Sequence, residues 1–324
     1  MHTLLLTHRD CLAHDMGEGH PERPDRLRAV LKALDAEEFS ALQRDEAPEA
    51  TRAQLMRAHP ADYVDAILAV RPAPGEMMPR DADTAMGPGS ARAALLAAGA
   101  AVRAVDEVCN GGARRVFCAT RPPGHHAERR RPMGFCLFSN AVVAARHAQA
   151  VHGLARVAIC DFDVHHGNGS QDCVADDPSI LFASSHQMPL YPGTGGADER
   201  GVGNVFNAPL PPGADGAAFR ASWQGHLLPA IARFAPELVV ISAGFDAHAR
   251  DPLAQLRLNE GDFAWLTGEL CALAEAHAGG RVVSLLEGGY DLDALAASAA
   301  AHVRVLLRAD QDFGNALGSA GRTL

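Results

Sequence analysis

Short apolar runs of strand-forming residues alternate with longer Ala- and Leu-rich stretches along most of the chain. Runs of this length suit buried strands, whereas the longer stretches have the length and composition of helices. The alternation predicts repeated βα units around a mainly parallel sheet flanked by helices, which is an α/β fold. The predicted strands are residues 3–6, 115–120, 157–161, 180–184, 204–208, 238–243 and 282–286.

Several predicted helices carry end signals. Thr51 and the Gln three residues later have the spacing of a capping box, which predicts a helix that begins after Thr51. The stretch 91–109 ends at Gly111 and the stretch 141–152 ends at Gly153, as helix C-termini do. Further helices are predicted at residues 215–234, 260–277 and 292–308, with a polar tail after Ala309.

The predicted elements belong to one unit. An α/β chain of 324 residues commonly forms a single domain around one sheet. The sequence has no repeat of fixed period and no low-complexity linker, so residues 1–324 are predicted to form a single domain. Four Pro- and Gly-rich segments join predicted elements and are expected to be surface or site loops: 71–89, 121–134, 191–203 and 209–216.

Composition limits which cellular compartment and which binding partners are expected for the protein. The formal net charge of −10 disfavours a nucleic-acid-binding surface and suits cationic substrates. The seven cysteines are scattered without a CxxC pair, so they are expected to be reduced and mostly buried. No stretch reaches transmembrane length, and the first ten residues lack the features of a signal peptide. We therefore expect a cytoplasmic protein that binds neither membranes nor nucleic acid.

Polar motifs follow four of the predicted strands directly. In an open parallel sheet the carboxyl ends of the strands form the ligand crevice, so segments far apart in sequence can converge there. One such motif alone is more often a surface feature, but four at four strand ends make coincidence improbable. The motifs are RPPGHH at 121–126, DFDVHHGNG at 161–169, GFDAH at 244–248 and EGGY at 287–290.

These motifs contain the residues of a hydrolytic metal site. Asp163, His165 and Asp246 form a nitrogen and oxygen ligand set that suits zinc and leaves one position for water. Asp161, two residues before Asp163 on an extended strand, should point to the same side and act behind the ligands. The adjacent histidines His125 and His126 could supply a base for the water and an acid for a departing amine.

Together these motifs resemble the histone deacetylase family, in particular its class II-like and bacterial members, including acetylpolyamine amidohydrolases. The resemblance runs from His20 to about Leu307 and implies an arginase-like α/β fold with the active site at the carboxyl ends of the strands. It is carried by GHPERP at 19–24, RPPGHHA at 121–127, GFCLF at 134–138, DFDVHHGNG at 161–169, YPGTG at 191–195, AGFD at 243–246 and EGGY at 287–290.

The resemblance implies a role for each polar residue of the site. Zn²⁺ would be held by Asp163, His165 and Asp246. His126 would be the general base and acid, oriented by Asn168, and His125 paired with Asp161 would tune it. Tyr290 would donate its phenol to the carbonyl oxygen and the oxyanion. A structural K⁺ is expected at Asp161, Asp163, His165 and Ser184.

The resemblance also implies a substrate tunnel for an aliphatic lysine or polyamine chain. Phe135 and Tyr191 would wall it, and the backbone carbonyl of Gly134 would accept a hydrogen bond from the scissile amide. Leu253 and Gly288 complete the expected substrate-binding residues. Arg26 resembles an arginine that lines a cavity for release of the acid product. Bacterial relatives often make subunit contacts near segment 71–89, so a homo-oligomer is also expected.

Some positions depart from the family pattern. Asn168 stands where many class I members have Asp, which predicts a lower pKa for His126. Tyr191 replaces a Phe that is common in relatives. Where class I members place an acidic residue at the tunnel rim, the chain has the apolar segment Ala85-Met86-Gly87, so a weaker grip on a peptide backbone is expected. Leu253 replaces the gatekeeper Glu of the polyamine-specific eukaryotic relative, which favours acyl-lysine.

The predicted function is therefore a zinc-dependent deacetylase that hydrolyses the N-acetyl amide of lysine side chains in a peptide or protein. One alternative is an acetylpolyamine amidohydrolase or another small-molecule amidase, which acidic rim residues such as Glu18 would favour. An arginase-like ureohydrolase would need further Asp ligands for two manganese ions, and the sequence lacks them. An inactive acyl-lysine binder would be expected to have lost a ligand, the His pair or Tyr290, and none is lost.

Overall fold

The computed structural model describes the backbone of residues 2–320 and the side chains of residues 2–308. The strands are β1 (Thr3–Thr7), β2 (Gln43–Glu46), β3 (Met78–Pro79), β4 (Ala85–Met86), β5 (Arg115–Cys118), β6 (Val157–Asp161), β7 (Ile180–Gln187), β8 (Val205–Leu210), β9 (Leu238–Ala243) and β10 (Val282–Leu286). The helices are α1 (Pro24–Leu34), α2 (Arg52–Leu55), α3 (Ala61–Leu68), α4 (Ser90–Asn110), α5 (Asn140–His152), α6 (Asn168–Val174), α7 (Gly216–Ser222), α8 (Leu228–Phe234), α9 (Glu260–His277) and α10 (Leu292–Ala320).

Eight of these strands form one parallel sheet in the order β2-β1-β5-β10-β9-β6-β7-β8. Every residue of β5, β6, β9 and β10 is buried, because helices cover both faces of the sheet. Along β9, Val239 and Ile241 pack into one hydrophobic core while Leu238 and Val240 pack into the other. The predicted α/β fold with a mainly parallel sheet is confirmed.

The strand order explains how distant motifs meet. The four strands that the polar motifs follow, β5, β10, β9 and β6, are consecutive neighbours in the sheet. Because they are parallel, their carboxyl ends share one edge, and the loops after them converge there.

The structure bears out most of the predicted ends. Thr51 forms the capping box with the backbone and side chain of Gln54. Gly111 and Gly153 end α4 and α5 in the left-handed conformation, with φ of 79° and 68°. The helix predicted at 215–234 is interrupted by a π-helical turn, Trp223–Leu227. The last helix continues past residue 308 to Ala320, where the sequence predicted a polar tail.

Several short elements were not predicted. β2 is an edge strand whose four residues are all exposed, so its sequence shows no apolar pattern. The helices α1, α3 and α6 and the antiparallel pair of β3 and β4 were also missed. None of the seven cysteines forms a disulfide, and Cys109 is the one that is not fully buried. Within the described chain no helix has the length and apolar character needed to cross a membrane.

Candidate active site

Asp163, His165 and Asp246 lie together beyond the carboxyl ends of β6 and β9. The Nδ1 atom of His165 is 3.1 Å from a carboxylate oxygen of Asp163 and 3.1 Å from one of Asp246. One possible ligand atom from each residue lies within 4.8 Å of those of the other two, and all three residues are buried. Two oxygens and one imidazole nitrogen at this spacing fit a divalent cation such as zinc.

The charges at this cluster favour a cation. Burial lowers the pKa of His165, but the hydrogen bonds and charges of Asp163 and Asp246 outweigh it and raise this pKa to about 10. Burial, and then the negative charge of Asp163, raise the pKa of Asp246. Two carboxylates in a buried site thus stabilise positive charge between them, which is what a bound metal ion supplies.

Two glycines let the backbone approach these carboxylates closely. A Cβ atom on Gly244 would lie 2.0 Å from Oδ2 of Asp163, and one on Gly288 would lie 2.1 Å from Oδ2 of Asp246. The backbone N–H of Gly288 donates to Oδ2 of Asp163 at 2.8 Å. Gly288, predicted to bind substrate, therefore lies against the carboxylates of Asp163 and Asp246, and it does not line the cavity described below.

Hydrogen bonds fix the tautomer of His126. The side-chain N–H of Asn168 donates to Oε1 of Glu128 at 2.8 Å, so its carbonyl oxygen faces His126. This oxygen is 2.7 Å from Nδ1 of His126 and accepts its proton. Nε2 of His126 is therefore the nitrogen with the free lone pair. Burial, and then the positive charges of His125 and His165, lower the pKa of His126 well below its ordinary value.

His125 has acidic partners instead. Its Nδ1 lies 3.0 Å from Oδ2 of Asp161, whose other oxygen accepts the backbone N–H of Asp163 at 3.1 Å. Burial lowers the pKa of His125, but the charges of Asp163 and Asp161 outweigh it and raise this pKa well above its ordinary value. The two histidine rings, 4.0 Å apart between centroids, thus have opposite pKa shifts.

A narrow cavity of about 240 Å³ opens over this group. The ring centroid of Tyr191 is 5.3 Å from that of His126, and the centroid of Phe135 is 6.0 Å from that of Tyr290. Phe135, whose ring is part of the wall, has a φ of 70°, which is uncommon for an aromatic residue. The lining residues are Asp83, His126, Gly134, Phe135, His165, Leu190, Tyr191, Leu253 and Tyr290.

Comparison with known proteins agrees with this geometry. The sequence profile of the histone deacetylase domain matches residues 20–306. The chain belongs to the histone deacetylase family. It is 41% identical over 295 residues to a histone deacetylase-like amidohydrolase of Pseudomonas aeruginosa, covering 89% of this chain and 77% of that protein. It is 37% identical over 331 residues to the human polyamine deacetylase HDAC10, covering 95% of this chain and 48% of that protein.

A solved structure shows the same fold. The crystal structure of the HDA15 HD domain superposes with a TM-score of 0.89 at 37% sequence identity, covering 95% of this chain and 88% of that chain. The arginase/deacetylase-like fold that the motifs implied is therefore confirmed, and so is the family resemblance.

One feature of this histone deacetylase family member corrects the sequence analysis. In the sequence, the apolar segment Ala85-Met86-Gly87 matches the acidic rim residue of class I members, but the structure places Asp83, two residues before that segment, in the cavity wall. Asp83 accepts hydrogen bonds from the backbone N–H of Gly134 at 3.1 Å and from the hydroxyl of Thr84 at 2.8 Å. It was missed because the turn between β3 and β4 was not predicted.

Two carboxylates to which the sequence analysis gave no role hold the family motifs in place. Glu287 accepts the backbone N–H groups of Gly124 at 2.7 Å and His125 at 3.2 Å, so it positions the histidine loop. Asp251 accepts the backbone N–H groups of Leu253 at 3.0 Å and Tyr290 at 2.8 Å. Both carboxylates are buried acceptors of backbone N–H groups, a role that side-chain patterns in a sequence do not reveal.

A buried ionic network lies behind this site. Glu22 pairs with Arg121, by one contact at 2.6 Å, and with Arg26 at 3.0 Å, and all three side chains are excluded from solvent. Arg26 donates to the carbonyl of Gly289 at 2.6 Å, and its guanidinium lies 4.9 Å from the ring centroid of Tyr290. The GHPERP and RPPGHH motifs are therefore joined, and product release along Arg26 stays a prediction.

Proposed function

We propose that this protein is a zinc-dependent deacetylase that hydrolyses the N-acetyl amide of lysine side chains. The observation that carries this proposal is that His126, His165 and Tyr290 face one narrow cavity, with the carboxylates of Asp163 and Asp246 against His165. A ligand set, a base and a phenol donor would then surround the same reacting amide.

Zinc held by Asp163, His165 and Asp246 would act as a Lewis acid toward the amide carbonyl and the attacking water. His126 would take the proton of that water at Nε2, because Nδ1 already donates to Asn168. The low pKa of His126 keeps this nitrogen unprotonated before reaction. The same nitrogen would then return the proton to the leaving amine.

Tyr290 would stabilise the negative charge that develops on the carbonyl oxygen. Burial raises the pKa of Tyr290 well above its ordinary value, although the nearby guanidinium of Arg26 acts in the opposite direction. The phenol therefore remains protonated and can donate a hydrogen bond throughout the reaction.

The cavity walls support a lysine substrate. Phe135 and Tyr191 offer aromatic surfaces to a straight aliphatic chain, and Leu253 adds an apolar contact where a second amine would need a charged partner. The Asp83 carboxylate accepts hydrogen bonds from Gly134 and Thr84, so part of its acceptor capacity is used.

An acetylpolyamine is the second candidate substrate, and Asp83 is the observation that favours it. Asp83 is half-buried beside Tyr191, which is 39% exposed, so its negative charge lies near the mouth where the distal ammonium of a polyamine would lie. The human relative named above is a polyamine deacetylase.

Potassium is part of the same proposal as a structural ion. Asp161 and Ser184 are paired on the adjacent strands β6 and β7, which brings oxygen atoms of the kind that hard cations bind close together. The hydroxyl of Ser184 is also 2.9 Å from Nδ1 of His186. An increase in the melting temperature with K⁺ but not with Li⁺ would support this site, and equal melting temperatures would argue against it.

The deciding experiment measures turnover of the zinc-reconstituted protein with an acetyl-lysine peptide, a longer acyl-lysine peptide and acetylspermidine, each with and without a hydroxamate. Hydroxamate-sensitive cleavage of the acetyl-lysine peptide supports the proposal. Cleavage of acetylspermidine alone assigns the protein to the polyamine branch, and preference for the longer acyl chain corrects the acyl group. No turnover of any of the three contradicts the proposal.

A further inference from the structure

A second group of possible metal ligands lies away from the candidate active site. Asp106 is on α4, and His147 and His152 are on α5. His152 ends α5 shortly before β6 begins, so the group lies near the amino ends of the strands. The candidate active site lies at the opposite, carboxyl ends.

The geometry of this group is close to that of a metal site. The Nε2 atoms of His147 and His152 are each 2.7 Å from Oδ1 of Asp106. All three possible ligand atoms lie within 4.8 Å of one another. The side chains of His147 and His152 are 4% and 13% exposed, while that of Asp106 is 40% exposed and gives an ion access from solvent.

We propose that Asp106, His147 and His152 form a second binding site for a first-row divalent metal ion of the zinc type. Two imidazoles and one carboxylate are ligands that such ions prefer, and three protein ligands leave a position for water. A bound ion would replace the two hydrogen bonds to Asp106 and link α4 to α5.

Arg57 competes with a metal ion for His147. Its guanidinium donates to Nδ1 of His147, which places the imidazole proton on Nε2, toward Asp106. An ion on Nε2 moves that proton to Nδ1, where it would oppose the N–H groups of Arg57. Arg57 must therefore turn away, and it lines an open cavity of about 510 Å³ that also contains Asp176 and Asp177. Asp176 and Asp177 already pair with Arg129 and Arg146 there, so the cavity offers the guanidinium room and a share of these two carboxylates.

Because the guanidinium of Arg57 occupies the far side of the His147 ring, the proposal predicts a site whose affinity is limited by Arg57.

The test is a calorimetric titration with Zn²⁺ of the full chain that already carries one zinc ion, repeated with Co²⁺ to record the visible spectrum of the bound metal. We expect a second equivalent in the original chain. Arg57→Gln should bind it on the order of tenfold to a hundredfold more tightly, because the amide oxygen can accept the Nδ1 proton of His147. His152→Ala should lose this equivalent and keep the first one.

Controls separate this site from the candidate active site and from misfolding. Asp106→Asn preserves the side-chain shape and should also lose the second equivalent, while the melting temperatures before zinc addition show whether each variant is folded. If neither the original chain nor Arg57→Gln takes a second equivalent, or if His152→Ala retains it, the proposal is wrong. If the original chain does not bind the first zinc equivalent, the result counts against the proposed zinc-dependent deacetylase. The second site is then still judged by comparing the original chain with His152→Ala.

Discussion

The chain contains two groups of Asp and His side chains that use the same kinds of ligand atoms in different surroundings. At the carboxyl ends of the strands, one imidazole lies between two buried carboxylates, beside a cavity and the pair of His125 and His126. On the helices α4 and α5, two imidazoles share one carboxylate that is 40% exposed, and an arginine occupies the far side of one ring.

The comparison shows that the group hydrogen-bonded to Nδ1 of a histidine determines whether its Nε2 carries a proton or has a free lone pair. An amide oxygen on Nδ1 of His126 leaves Nε2 free to act as a base toward the cavity. The guanidinium on Nδ1 of His147 does the reverse and places the proton on Nε2. The types of possible ligand atom alone therefore do not distinguish the two groups.

The largest expected difference between the two groups concerns turnover. Asp246→Ala should lose zinc and lower kcat/KM by several orders of magnitude, because it removes a metal ligand and half of the negative charge that holds the ion. The matched change Asp106→Ala should leave turnover of the zinc-reconstituted protein unchanged. Metal analysis and steady-state kinetics on both variants check this. Equal losses of activity would show that the helix group supports catalysis.

Tyr290→Phe separates transition-state stabilisation from metal binding at the first group. It removes the phenol donor but keeps the ring contact with Phe135, so we expect kcat to fall about a hundredfold to a thousandfold with zinc still bound. Steady-state kinetics and the zinc content of the same preparation measure both effects. A variant with unchanged kcat would contradict the assignment of Tyr290, and loss of zinc would mean that the change disturbed the ligands.

Much of the fold and the first group follow from the sequence, because strand ends are visible as apolar runs that stop at polar motifs. Those runs identified β5, β6, β9 and β10 without knowledge of their order in the sheet. The order depends on which helices cover which face, and local patterns do not record that.

The supporting residues were missed for a different reason. Glu287 and Asp251 act on backbone N–H groups of loops whose path is set by tertiary packing. Asp83 lines the cavity from the loop between β3 and β4, two strands of two residues each that are too short to show a periodicity. Asp106 and the two histidines of α5 lie in ordinary helices, about forty residues apart, and helix packing alone brings them together.

His302 has hydroxyl partners in place of carboxylates, and it extends the comparison of the histidines to the stability of the folded protein. His302 lies between the hydroxyls of Thr267 and Ser284, at 2.7 and 2.8 Å, and burial lowers its pKa to about 3. Between this value and the unfolded value near 6.5 the unfolded chain binds one more proton, so stability is lost as the pH falls through this window.

The measurement is the free energy of unfolding as a function of pH, by urea denaturation. His302→Gln should be less stable near neutral pH, and its stability should fall less steeply on acidification, by about 1.4 kcal/mol per pH unit. Equal slopes for the variant and the original chain would show that His302 does not stay neutral in the folded protein.

The smallest expected effect comes from giving His126 a carboxylate partner like that of His125. In Asn168→Asp the new charge on Nδ1 should raise the pKa of His126, which burial and the neighbouring charges of His125 and His165 now keep low. The base must be unprotonated, so the acidic limb of kcat/KM should move to higher pH, with a several-fold loss at acidic pH and little change at alkaline pH. A full pH profile of the zinc-loaded variant measures this shift, with Glu128→Gln as a control that disturbs Asn168 without adding charge. A profile that falls equally at every pH would indicate a misplaced ring, and the hydrogen bond of Asn168 would then set geometry and not basicity.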